Sequence, residues 1–290
     1  MRRRGRSLLA GIRAIDVLHL AVLGLSGLTA LGVWAATGQG AWVFGLNLVL
    51  AVVLLGLVAG PMAKGGAARA ATIRMLVSTV LVTLLFSELS VIVPNVNPLR
   101  YDAGLLHIDR EILGFDLNGS LDFLHNRGLS DLFSVVYFSF YFIPISFFVV
   151  LYRARSFERI ETANLAIVIG FYLSFVGNTI FPAVSPFRVM EFDSGLAGLW
   201  LYEPLHHMVD ALEPHKFSAF PSGHILVAAI VVCLTAMWRR DVLPVFLAWA
   251  LVLWLGTIYL RYHYLIDTLV ALPLALPCIW VAHLRRSEAN

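Results

Sequence analysis

The sequence predicts an all-α polytopic membrane protein of about eight transmembrane helices. Three observations predict it. The 290 residues are 59% hydrophobic and only 13% charged, whereas a water-soluble domain carries about a quarter charged residues. Several apolar runs reach the length of about eighteen residues that a helix needs to cross a bilayer. The Lys and Arg residues gather in alternate connections, as they do when loops face two sides of a membrane. The net charge of +3 is spread among apolar runs, so no basic face is formed and no nucleic-acid partner is expected.

Taken in order, the runs predict helices over 16–36, 42–63, 72–94, 130–152, 161–183, 222–238, 242–260 and 264–284. All of 1–290 reads as one integral membrane domain, with two additional helices in 1–66 and a core in 67–290. The opening "MRRRGR" resembles the start of a signal peptide, but the apolar run behind it is too long, so a retained first helix is expected. Cys233 and Cys278 both fall inside apolar runs and offer no disulfide framework. In the connection 95–129, Leu105, Ile108, Ile112 and Leu113 recur at helical spacing among charges. That pattern predicts a helix lying in the membrane interface. The stretch "GLAGLWLYEPLHHMVDALE" predicts a second surface segment.

Basic residues set the orientation. With the N-terminus in the cytoplasm, fifteen of the 21 Lys and Arg fall inside: Arg2, Arg3, Arg4, Arg6, Arg13, Lys64, Arg69, Arg74, Arg153, Arg155, Arg159, Arg239, Arg240, Arg285 and Arg286. The expected location is the cell membrane, multi-pass, with both termini cytoplasmic.

Two histidines then meet. His224 opens the sixth helix in "PSGHILV", and His263 opens the eighth in "YLRYHYLIDTLV". A basic turn, "RRD", lies between them, so the chain crosses, turns and returns, and both imidazoles reach the non-cytoplasmic face. Arg188 ends on the same face. Asp267 follows His263 by one helical turn and faces the same way. A carboxylate on one ring nitrogen fixes the tautomer and frees the other nitrogen to attack. Pro221-Ser222-Gly223 is a helix start whose free amides suit an anion, and His224 is placed to protonate a leaving oxygen.

Blander readings stand beside this one. "PSG" is a common turn and cap, "HYLID" is also an ordinary i,i+4 pair, and an interfacial histidine is often a simple anchor. Two histidines and an aspartate match zinc donor types, but not a familiar zinc spacing; no metal or cofactor is expected. Glu88, inside the third helix, must point inward to a partner, either lining a lipid pocket or bonding Asn178. His206, His207 and His215 are expected to be solvated or interfacial.

"PSGH" followed by a hairpin and "HYLID" resembles the phosphatidic acid phosphatase type 2 superfamily, whose motifs read K-x6-R-P, P-S-G-H and S-R-x5-H-x3-D. "YDAGLLHIDREILGFD" and "GNTIFPAVSPFR" resemble the branch containing inositol phosphorylceramide synthase. The resemblance implies a six-helix core, here helices three to eight. It implies a His263 nucleophile forming phosphohistidine, oriented by Asp267, with His224 as general acid and Arg188, Ser222 and Gly223 on the phosphate. Phe181 stands where the first motif has lysine, and Thr257 where the third has arginine. Lys216 or Arg261 is the expected replacement.

The expected activity is a metal-independent lipid-phosphate phosphatase or phosphotransferase at the outer face. Its expected partners are membrane lipids, with a phospholipid or a polyprenyl or sphingolipid phosphate as substrate. Water as acceptor makes a hydrolase; a hydroxyl acceptor makes an inositol phosphorylceramide synthase-like head-group transferase. A lipid transporter without catalysis is the alternative of another class, although transporters place polar groups near midmembrane and carry internal repeats.

Overall fold

The protein is described from a computed structural model covering residues 11–192 and 195–287, with side chains to Leu284. Arg2, Arg3, Arg4 and Arg6, counted above toward the orientation, lie outside the described residues, as do the side chains of Arg285 and Arg286. The helices are α1 (Ala14–Thr37), α2 (Ala41–Leu57), α3 (Ala67–Val96), α4 (Asp102–Leu113), α5 (Leu117–Ser120), α6 (Arg127–Phe138), α7 (Phe142–Arg153), α8 (Phe157–Ile180), α9 (Tyr202–Leu212), α10 (Gly223–Trp238), α11 (Leu243–Tyr259) and α12 (Leu265–Ser287). Among the described residues six helical segments are long and apolar enough to span a membrane, and α10 and α11 are shorter apolar helices. The fold is all-α and polytopic, and its eight apolar segments are those predicted.

The predicted fourth helix is broken. A 3-10 turn over Ser139–Tyr141 separates α6 from α7. Pro144 lies in the first turn of α7, where its ring has no N–H and would clash with the Phe140 carbonyl one turn back. The break turns Phe140 and Tyr141 toward the interior.

At the centre lies α8, which packs against α3, α7, α10 and α12. Water-driven burial is absent between helices in lipid, so close approach depends on small residues. The face of α8 supplies them as Ala163, Ala166, Gly170, Ser174 and Gly177. A side chain at Gly170 would strike Ile230 of α10, and one at Gly177 would strike Pro221. The two additional helices lean on this core through polar contacts. Glu88 of α3 accepts hydrogen bonds from Ser26 of α1 (2.5 Å) and Asn47 of α2 (2.9 Å). It therefore neither lines a lipid pocket nor bonds Asn178, whose amide donates to the Phe220 carbonyl instead (2.9 Å).

The surface helices also anchor the site. In α4, Ile108 and Ile112 are exposed, whereas Leu105 and Asp109 are buried. The Asp109 carboxylate accepts from the Leu265 and Ile266 amides (2.7 and 2.8 Å), so it caps the start of α12. The segment before α9 is held by Asp131 of α6, which accepts from the Trp200, Leu201 and Tyr202 amides.

Candidate active site

Ser222 caps α10. Its hydroxyl oxygen accepts from the Ile225 amide (3.4 Å) and lies 3.1 Å from His263 Nε2. The turn before it is fastened to α8, since Ser174 donates to the Pro221 carbonyl (3.0 Å). Gly223 follows with Ser174 Oγ 3.2 Å from where a side chain would begin, so a larger residue here would press on α8.

His263 sits in the turn between α11 and α12. Its Nδ1 lies 3.0 Å from the Ala219 carbonyl and 3.4 Å from Asp267 Oδ2. Both neighbours accept, so Nδ1 carries the proton and the Nε2 lone pair is available. Asp267 is fully buried and also accepts from the Tyr264 amide (2.9 Å). Thr257, which occupies the arginine position of the expected third motif, offers its carbonyl to the Tyr262 and His263 amides (3.0 and 3.3 Å) and so fixes the turn.

His224 faces His263 with ring centroids 5.8 Å apart. Glu213, between α9 and α10, brings Oε1 to 3.4 Å from His224 Nε2 and accepts a hydrogen bond from the Tyr141 hydroxyl (3.0 Å). Burial raises the Glu213 carboxyl, but the His224 and Tyr141 contacts outweigh it and hold the group below the ordinary glutamate range. Tyr137 lies tilted against His224 at 4.6 Å and stacks on Tyr262 at 4.3 Å, and Tyr262 meets His206 Nδ1 at 2.6 Å. An aromatic wall thus packs against the His224 ring.

Gly223, His224, His263 and Glu213 form the head of a cavity of about 190 Å³ that continues down into the bundle. Its floor is α8, from Asn178 to Asn164; one wall is α3, through Phe86, Val82 and Ser78; the other is α7 with the 3-10 turn before it. Thr79, Thr83 and Ile145 line it and are exposed, so the groove opens sideways between α3 and α7. A polar head above an apolar, laterally open groove suits a lipid with a polar headgroup.

Residues 103–281, more than half of the chain, match the PAP2 superfamily. The chain belongs to the PAP2 superfamily. The match runs from α4 through most of α12 and so contains the whole head of the cavity. A PA-phosphatase related-family protein of Dictyostelium discoideum is 30% identical over 132 residues, 42% of this chain and 23% of that protein. The chain therefore spans less than a quarter of that relative's length. No solved structure matches.

Against the PAP2 motifs, the structure brings together His224, His263, Asp267, Ser222 and Gly223. The three expected cations lie elsewhere. Arg188 pairs with Asp210 of α9. Lys216 donates to the same carboxylate (2.8 Å) and to the carbonyls of Asp210 and Glu213. Arg261, with φ at 61°, pairs with Asp122 (2.6 Å) and lies over the Phe192 ring at 3.6 Å. Among the described residues, no lysine or arginine lines the cavity.

The histidine expectations need two corrections. His206 belongs to the aromatic wall. His215 is fully buried, edge-on to Phe86 at 5.5 Å, and neither ring nitrogen has a hydrogen-bond partner among the described residues. Burial, only partly offset by Glu213, lowers its pKa to about 3. Glu213 and Asp109 were the residues sequence reasoning missed. Asp109 carried a signal: it stands one helical turn after Leu105, on the same face of α4.

Proposed function

We propose that the chain is a lipid-phosphate phosphatase or phosphotransferase that works through phosphohistidine on His263. The observation that carries this reading is the pair of imidazoles 5.8 Å apart at the head of one groove. That separation leaves room for a phosphorus atom between them. Nε2 of His263 attacks phosphorus as the bond to the ester oxygen breaks, and His224 gives its proton to that oxygen. Water or a hydroxyl then attacks the P–N bond, and its proton passes to His224. Asp267 and the Ala219 carbonyl hold the Nδ1 proton throughout. The Ser222 hydroxyl and the first amides of α10 receive the equatorial oxygens. Glu213 is a positioning residue whose carboxylate, 3.4 Å from His224 Nε2, holds that ring at the head of the groove.

A second reading, transfer of a whole phosphate-bearing headgroup, is favoured by the cation-free lining and the Glu213 carboxylate. A phosphate monoester brings nearly two charges to a site whose Arg188, Lys216 and Arg261 are already paired. A phosphodiester brings only one. Its acceptor is then a lipid hydroxyl rather than water.

The site lies at the ends of α8, α10 and α12 away from Lys64, Arg69, Arg153, Arg155, Arg159, Arg239 and Arg240. That distribution supports an active site on the extracytoplasmic face with cytoplasmic termini. We take the chain as one membrane domain, with α1 and α2 added to a catalytic core that begins at α3.

The test uses purified protein and defined phospholipids and lipid phosphates. His263→Ala is expected to abolish turnover, and millimolar chelator to leave the wild type unaffected. Turnover retained in that variant would refute the reading. Release of inorganic phosphate identifies a phosphatase; headgroup exchange between lipids identifies a transferase.

A further inference from the structure

The groove does not end in hydrocarbon. At its foot stand Ser78 of α3 and Asn164 of α8, which line the cavity although each is nine-tenths or more buried. Ser78 Oγ accepts from the Asn164 amide (3.0 Å) and lies 2.9 Å from His19 Nε2. His19 Nδ1 in turn lies 2.7 Å from the Tyr172 hydroxyl. Other hydroxyls of α3 behave differently: Thr72, Thr79 and Thr83 each donate to the carbonyl one turn back. Ser78 makes no such bond.

Counting protons shows what is left over. A neutral His19 carries one N–H. If the Tyr172 hydroxyl donates to Nδ1, then Nε2–H donates to Ser78, and the Ser78 hydroxyl proton has no acceptor among the described residues. The opposite tautomer leaves the Tyr172 proton spare instead. Either way one end of Asn164 is unpaired: as placed, no described donor reaches Oδ1, and with the amide turned over Oδ1 takes the Ser78 proton and the N–H groups are left without an acceptor among the described residues. Anchoring α1 needs only His19, Ser78 and Tyr172, so Asn164 is not required for it. An amide end without a partner in an apolar groove costs free energy unless a ligand supplies one.

We infer that this foot binds a hydroxyl group carried far along the chain of the lipid substrate. A hydroxyl both donates and accepts, so it pairs the open end of Asn164 in either orientation. Gly223 meets α8 at Ser174, and Asn164 lies ten residues further along the helix, about 15 Å deeper at 1.5 Å per residue. The group read is therefore near the end of a medium-length chain, not at the headgroup. This inference rests on the phosphate-binding reading of the cavity head.

The test compares dodecyl phosphate with 12-hydroxydodecyl phosphate, titrated calorimetrically into His263→Ala protein in amphipol so that nothing turns over. The hydroxylated chain is expected to bind about tenfold tighter. Asn164→Leu is expected to erase that preference while binding the plain chain at least as well, with Ser78→Ala as a second variant. Equal affinity for the two chains would overturn the inference and leave the foot as a clasp for α1. A preference that survives Asn164→Leu would also overturn it, because the hydroxyl would be read elsewhere. Failure of both chains to bind would overturn the phosphate reading and this inference with it.

Discussion

Replacing Glu213 with Gln removes one charge and little else. Gln keeps an oxygen for the Tyr141 hydroxyl, so the local packing persists. The lost interaction is that of a carboxylate oxygen 3.4 Å from His224 Nε2. At an effective dielectric of 20, two unit charges at that distance attract by about 5 kcal/mol. Glu213 is one-fifth exposed, and solvent screening reduces the usable part to roughly 1.5–3 kcal/mol. That is a factor of about 10 to 100 in the step where His224 takes a proton from the attacking water or hydroxyl and becomes charged. The assay follows release of the leaving alcohol before steady state on a single lipid substrate, wild type beside E213Q. Breakdown of the phosphohistidine is expected to slow about 10- to 100-fold, so that E213Q shows a burst of alcohol followed by slow turnover. Loss of the burst together with turnover would refute the argument, because a merely structural role slows both steps.

Two further predictions concern the scaffold. Asp109→Ala frees the Leu265 and Ile266 amides at the start of α12, at a cost of about 1–2 kcal/mol. Thermal unfolding in detergent is expected to show that loss, with activity falling because Asp267 and His263 lose their register; Asp109→Asn is expected to recover part of both. His215 stays neutral in the folded state down to about pH 3 but titrates near 6.5 when unfolded. Its depressed pKa means that stability falls as pH drops below 6.5, by about 2 kcal/mol at pH 5. His215→Phe is expected to flatten the melting temperature between pH 6.5 and 5, and an unchanged slope would exclude His215 as the cause.

The spans were legible because a bilayer demands long apolar runs, and little else produces them. Their ends were less so: α3 begins at Ala67, five residues before the expected start, because its first turn is alanine-rich and weakly apolar. The break before α7 was encoded in Pro144 but masked by the continuous apolar run around it. At the site, His224, His263 and Asp267 could be placed because spacing and topology carried them to one rim. The expected phosphate cations could not be judged that way. Arg188 and Lys216 share Asp210, and Arg261 meets Asp122 across 139 residues of chain. Nothing in the sequence marks such pairings. Glu213 was hidden for the same reason, since it reaches His224 only after α9 and the loop behind it fold over the bundle.

Trapping the covalent intermediate tests the central claim most directly. Protein incubated briefly with lipid substrate labelled at phosphorus, then quenched in alkali, is expected to hold label on His263. A phosphoramidate survives base and is lost in acid. Label that persists in the His263→Ala variant, or none in wild-type protein during active turnover, would contradict the account.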